Sequence, residues 1–370
     1  MSKKIIRICT VSQSFDLLKG QLSFLSKYYN IIAVSSPGES LREVGFREGV
    51  HIKEIPMKRR VSLMKDCISL LCLVILFYRE KPDLVHSMTP KAGLLSMLAA
   101  WMTRIPVRMH TFTGLIFPTE TGLKKYILIA MDRLLCFCAT NVYPEGKGVR
   151  SDLISYGITN KPLRIIANGN INGIDLSYFL PSRQQKSTNS VFVFCFVGRI
   201  VKDKGVNELV HAFIHLFEEK KDVKLILVGS FEKELDPVLP DVEREILNHP
   251  AICFKGWKND VRPYFDISDA FVFPSYREGF PNAVIEAGAM GLPSIVTNIN
   301  GCNEIIVDGE NGVIIPPRDE DALYESMKYF VENPDKVKAM AARARPLVQS
   351  RYERKTVWNA LLKEYNLLLE

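Results

Sequence analysis

Val191-Phe-Val-Phe-Cys195-Phe-Val197-Gly198-Arg199-Ile-Val-Lys202-Asp203-Lys204-Gly205 runs from seven consecutive apolar residues straight into a charged glycine turn. The stretch Asn207–Glu219 follows, with Leu209, Val210, Phe213, Leu216 and Phe217 on one helical stripe. An apolar run without alternation is a strand buried on both faces, so the segment reads as one strand–turn–helix unit of a covered parallel sheet.

Outward from it, the same unit recurs in both directions. Apolar, β-rich runs in the first half are Ile5–Val11, Asn30–Ser35, His51–Pro56, Asp83–Met88, Val107–Phe112, Ala139–Tyr143 and Leu163–Ala167. In the second half they are Val191–Val197, Lys224–Val228, Ala251–Phe254, Ala270–Phe273, Ser294–Thr297 and Gly312–Ile315. Helical patterns separate them, and the polar, aperiodic stretch Pro181–Ser190 divides the two series. The expectation is an α/β protein of two doubly wound, Rossmann-like domains, 1–180 and 191–352, facing a central cleft and joined by a linker at 181–190. The terminal helix 353–370 is expected to pack back on the first domain. In such sheets ligands bind at the carboxyl ends of the strands.

Composition agrees with two globular domains: 370 residues, 47% hydrophobic and 24% charged. The net charge of +7 is unevenly divided. Residues 1–180 hold 24 Lys+Arg against 13 Asp+Glu, and residues 181–370 hold 24 against 28, which gives +11 and −4. The opening Met-Ser-Lys-Lys-Ile-Ile-Arg-Ile-Cys9 has no apolar core of signal-peptide length. The longest apolar run, Cys67–Tyr78, is about half of the ~20 residues a spanning helix needs. The eight cysteines lie mostly in apolar runs, and Cys136-Phe-Cys138 has the wrong spacing for a zinc pair, so they read as free thiols of a cytoplasmic protein. No basic stretch interleaved with aromatics points to nucleic acid.

Three segments of the second half carry chemistry. In the glycine turn, Gly198 lets the backbone approach a phosphate while Arg199 and Lys204 supply charge-assisted contacts; a basic surface turn is the plainer reading. Glu278-Gly279-Phe280-Pro281-Asn282-Ala283-Val-Ile-Glu286 follows a strand, with Pro281 suited to a helix start. Both carboxylates then gather around one ligand at a helix N-terminus, or are merely a capping acid and a solvated glutamate. Lys255-Gly256-Trp257-Lys258 ends another strand and reads as a pocket for a planar base, or as a turn with a core tryptophan.

Taken with Gly256-Trp257…Asp260-Val261, Gly291-Leu-Pro293, Gly301-Cys-Asn-Glu304 and Asp308-Gly309…Asn311-Gly312, these residues resemble the retaining GT-B glycosyltransferases of the GT4 family, especially its capsule and O-antigen members. The resemblance implies that Arg199 and Lys204 hold the donor diphosphate, Glu286 the nucleotide ribose and Glu278 the donor-sugar hydroxyls. It further places the backbone of Gly279 and Phe280–Ala283 against sugar and phosphate, and the turn Gly256–Lys258 against the base. In the first half it is looser: His86…Thr89-Pro-Lys91-Ala-Gly93, His110-Thr-Phe-Thr113-Gly114 and Asn170-Ile-Asn172-Gly173 resemble acceptor-side loops. Where many members carry a histidine against the donor sugar, Thr113 stands here, and His110 is either the substitute or a structural residue. A double-glycine loop after the first strand is replaced by Ser12-Gln-Ser14-Phe15, with Lys19-Gly20 beyond.

The implied activity is retaining transfer of a sugar from a nucleotide donor, UDP-linked, to a glycan on a polyprenyl diphosphate. No metal or other cofactor is expected, since no Asp-x-Asp signature appears in the relevant loops. The basic first half suggests peripheral contact with the cytoplasmic face of an inner membrane through Lys58-Arg59-Arg60 and Lys124-Lys125. Other readings are a UDP-GlcNAc 2-epimerase on the same fold, a non-catalytic nucleotide-sugar binder, and a hydrolase using Glu278 and Glu286 as acid and base.

Overall fold

The computed structural model describes residues 2–58, 62–182, 191–234 and 236–370. The chain forms two compact units, Met1–Gly173 with Arg354–Glu370, and Ile174–Glu353. Each is built on a six-stranded, all-parallel sheet. In the first unit β1 (Lys4–Ile8), β2 (Asn30–Ser35), β3 (His51–Glu54), β4 (Leu84–Ser87), β5 (Val107–Phe112) and β6 (Asn141–Pro144) lie in the order β3-β2-β1-β4-β5-β6. In the second, β7 (Phe192–Val197), β8 (Val223–Val228), β9 (Ile252–Phe254), β10 (Ala270–Phe273), β11 (Ser294–Thr297) and β12 (Gly312–Ile315) lie in the order β12-β11-β10-β7-β8-β9.

The apolar runs have the cause assigned to them. Along β1 and β2, Ile6, Ile8, Ile32 and Val34 belong to one core while Ile5, Ile31 and Ala33 belong to the core on the opposite face. Side chains alternate across a strand, so a strand covered on both faces must be apolar at every position. The core of the second unit is continuous from Phe194, Cys195 and Phe196 through Leu209, Phe213 and Val284 to Phe330.

Two expectations are corrected. Leu163–Ala167 forms no strand: Leu163 and Ala167 each make an isolated bridge, to Val142 and Gly169, Pro162 precedes the run, and Ala167 closes it at φ +54°. The chain also enters the second unit earlier than expected. The Ile174 amide donates to Tyr352 O at 2.7 Å, and Leu176 and Phe179 pack on the second core. Residues 183–190 of the expected linker lie outside the described residues, as do Arg59 and Arg60.

The terminal helix Arg354–Leu369 belongs to the first unit, where its buried stripe is Val357, Leu361 and Tyr365. All eight cysteines are free; Cys9, Cys136, Cys138, Cys195 and Cys302 are buried and Cys67 is exposed. Among the described residues no helix is long and apolar enough to cross a membrane.

Candidate functional site

The second unit changes direction between β7 and β10, which pair side by side while the chain continues to β8–β9 on one flank and β11–β12 on the other. Loops leaving the carboxyl ends of two such strands diverge and open a crevice. Here they are Gly198–Gly205 and Pro274–Pro281, and they are locked together. Gly205 has φ +67°, and a Cβ there would lie 2.1 Å from Pro274 O. The Tyr276 amide donates to Asp203 O at 2.9 Å, and its hydroxyl to the Glu208 carboxylate. A third loop closes on them: Gly301, φ +76°, leaves no room for a Cβ against Gly279 O and Pro281 Cδ.

That packing brings Lys204 and Glu278 into an ion pair, each side chain 15% exposed. The Ser275 hydroxyl donates to the same carboxylate oxygen at 2.9 Å, and the Lys204 ammonium lies 5.3 Å from the centre of the Phe273 ring. Arg199, on the outer part of the turn, is half exposed and pairs with Glu232 at 2.6 Å. Pro281 occupies the N-cap of the helix Asn282–Ala289, which carries Glu286 one turn in. The Glu286 carboxyl has no hydrogen bond or ion pair among the described residues, and burial pushes its pKa up to about 7. The loops and the helix that carry Arg199, Lys204, Glu278 and Glu286 all leave the carboxyl ends of β7 and β10. At the end of β9 the Gly256 turn opens to free space, φ +64°, and Trp257 is 69% exposed, which excludes the core-tryptophan reading. Lys258 is exposed beside it.

In the first unit the corresponding switch point lies between β1 and β4. Thr10 Oγ1 and Thr89 Oγ1 share a 2.8 Å hydrogen bond across it, and the Ala92 amide donates to Thr10 Oγ1 at 3.1 Å. A cavity of about 370 Å³ opens there, taking in Ser14, Thr89, Lys91, Leu115 and Asp132. Lys91 reaches Asp66 at 2.8 Å.

Comparison with known proteins now has a geometry to explain. The glycosyl transferases group 1 family matches residues 181–346, and a glycosyl transferase 4-like domain matches residues 30–169. The capsular polysaccharide biosynthesis glycosyltransferase CapM of Staphylococcus aureus is 33% identical over 100% of this chain and 98% of its own. This chain belongs to the group 1 glycosyltransferases. An Escherichia coli relative, 29% identical over 73% of this chain and 71% of its own, is a UDP-Gal:α-D-GlcNAc-diphosphoundecaprenol α-1,3-galactosyltransferase. Among solved structures, Anabaena HepE in complex with UDP superposes with a TM-score of 0.81 at 18% identity, over 98% of this chain and 99% of that one. That likeness establishes the shared GT-B fold.

Several expectations for the first half of this glycosyltransferase are corrected. His110 is 1% exposed, with Nδ1 bonded to Ser87 Oγ at 2.8 Å. Its ring lies so close to Gly93 that a Cβ there would fall 2.4 Å from Cε1, and burial holds it neutral with a pKa near 3. It is a core residue in this structure, packed between Ser87 and Gly93. His86 is likewise buried, held by Tyr365 Oη at 2.6 Å and Thr111 Oγ1 at 2.8 Å. Asn170 is buried at φ +57°, its Oδ1 accepting from the Asn172 and Gly173 amides, which makes it a turn-former before the crossover. Thr113 donates to Met88 O at 3.0 Å, and Lys19 is exposed while its carbonyl accepts from Asn172 Nδ2. Only Ser14, Thr89 and Lys91 of the expected acceptor-side residues line the cavity.

Sequence reasoning missed Ser275, the Glu208–Tyr276 brace, Glu232 and Asp132. Asp132 left the clearest signal, as the one acid between the apolar runs Ile127–Met131 and Leu134–Cys138.

Proposed function

We propose that this glycosyltransferase moves a sugar, with retention, from a UDP-linked donor to a glycan carried on a polyprenyl diphosphate, in the assembly of a capsule or related surface polysaccharide. The observation that carries the reading is the Lys204–Glu278 pair at the β7/β10 switch point, with the unpartnered Glu286 on the helix that follows. The relatives' names supply the substrate class.

In this reading Arg199 and Lys204 exchange their carboxylate partners for the donor diphosphate. A nucleotide diphosphate is already a good leaving group, so the protein contributes positioning and charge stabilisation. Lys204 and the N-terminus of the Asn282 helix face the charge that develops as the anomeric bond breaks. Glu278, released by Lys204, accepts from donor-sugar hydroxyls, and Glu286 accepts from the ribose. Trp257, exposed at the end of β9, lies against the base. The acceptor hydroxyl attacks from the face the nucleotide leaves. No step is assigned to a metal.

The test is donor-nucleotide binding by calorimetry in Lys204→Ala and Glu286→Ala. Each is expected to weaken UDP at least roughly tenfold, the loss of one charge-assisted contact. Unchanged affinity in both contradicts the site assignment. An epimerase would instead consume nucleotide sugar without any acceptor.

We further propose that the first unit docks on the anionic cytoplasmic leaflet that presents the lipid-linked acceptor. The helices Leu63–Glu80 and Gly122–Cys138 flank Pro90–Met102 on one face of the sheet. They leave Leu63, Met64, Leu71, Tyr78, Leu123, Tyr126 and Phe137 exposed. Lys65, Lys124 and Lys125 accompany them, an apolar and basic surface of the kind that binds headgroups.

A further inference from the structure

We propose that Asp132 reads a hydroxyl of the acceptor. The cavity at the β1/β4 switch point takes one sugar ring, and the Asp132 carboxylate accepts a hydrogen bond from it. This deepens the reading above and rests on its claim of a sugar-bearing acceptor.

At about 370 Å³ the cavity falls in the range of small-molecule sites. Its walls include Leu94, Leu115, Leu128 and Met131, and its other charged group is already paired, Lys91 with Asp66, as is Thr89 with Thr10. Asp132 is different. It makes no hydrogen bond or ion pair with any described residue, and its carboxyl is half-buried on the cavity wall. An unpaired acid in apolar surroundings destabilises a fold, and an apolar residue at this place in the helix would pack without that cost.

Ligand chemistry accounts for it. A sugar ring offers an apolar C–H face to the leucines and a hydroxyl to the carboxylate. A diphosphate or nucleotide would meet a like charge, so the cavity holds a ring rather than the anionic linkage that follows it.

The experiment uses the full chain with N-acetylglucosaminyl diphosphate on a short, water-soluble isoprenoid, measured by calorimetry beside UDP and thermal melting. Asp132→Asn is expected to weaken the acceptor probe at least roughly tenfold. UDP affinity should be unchanged and the melting temperature equal to or above that of the parent chain, with Asp132→Glu recovering part of the probe binding. Probe binding within twofold of the parent overturns the role of Asp132 alone. A lower melting temperature with UDP binding falling alongside overturns it in favour of a structural role. A parent chain that binds UDP but not the probe overturns both this occupant and the lipid-linked acceptor.

Discussion

Glu286 carries its carboxyl in a half-buried place where no cation answers it, and burial lifts its pKa from 4.5 to about 7. Ribose hydroxyls bind the ionised form better than the neutral one. Donor affinity should therefore rise as pH passes upward through about 7, and the rise should vanish in Glu286→Gln. The stability consequence has the opposite direction. A folded pKa raised above the unfolded one makes a contribution that is full below about 4.5 and lost as pH climbs through about 7. Above pH 8 Glu286→Gln should be more stable than the parent by up to about 3 kcal/mol, with the gap closing toward pH 5. Chemical denaturation across that range measures it. Lys204 shows the contrasting case: its partner Glu278 sits beside it, so neither charge is orphaned.

Loops make the site, and close backbone approaches set their geometry together with side-chain braces such as Tyr276–Glu208. Gly205 is the clearest hinge between sequence and site, since its positive φ and its approach to Pro274 both exclude a side chain. Gly205→Ala is expected to lose roughly 1–3 kcal/mol from backbone strain, plus the cost of moving Pro274. Because the same shift moves Glu278, UDP affinity should fall together with the melting temperature. A normal affinity in a destabilised Gly205→Ala would show the two loops to be independent. Much of this level was legible beforehand. Strands such as Val107–Phe112 and Ala270–Phe273 announce themselves because both faces are buried, and Glu278 and Lys204 because they follow strand ends in a repeated βα pattern. Leu163–Ala167 misled because apolar residues also line a turn that packs on a sheet edge. His86 and His110 misled for a different reason: which way a strand-end side chain faces depends on what covers it, here Tyr365 from 279 positions away and Gly93 from a neighbouring helix. Asp132 went unseen because its significance is the emptiness beside it, and sequence does not record a cavity.

At the scale of the whole molecule, the proposed docking gives the uneven charge a use. The −4 half holds its few functional cations at one strand edge, paired to carboxylates, while the +11 half carries lysines beside exposed apolar helices. That arrangement predicts flotation of the intact chain with anionic liposomes at low salt, weakened at raised salt. Leu63→Glu with Tyr126→Glu should abolish it without changing UDP affinity. Absence of flotation at low salt contradicts the membrane docking and leaves the donor site untouched. The most direct measurement of the central claim is a product assay: the purified chain, a panel of nucleotide sugars and a polyprenyl-diphosphate-linked acceptor. The account predicts one sugar added to the acceptor with the donor's anomeric configuration kept, nucleotide diphosphate released, and no turnover when the acceptor is omitted. Conversion of the nucleotide sugar with no acceptor present, or no turnover of any donor by a chain that binds the acceptor, would contradict it.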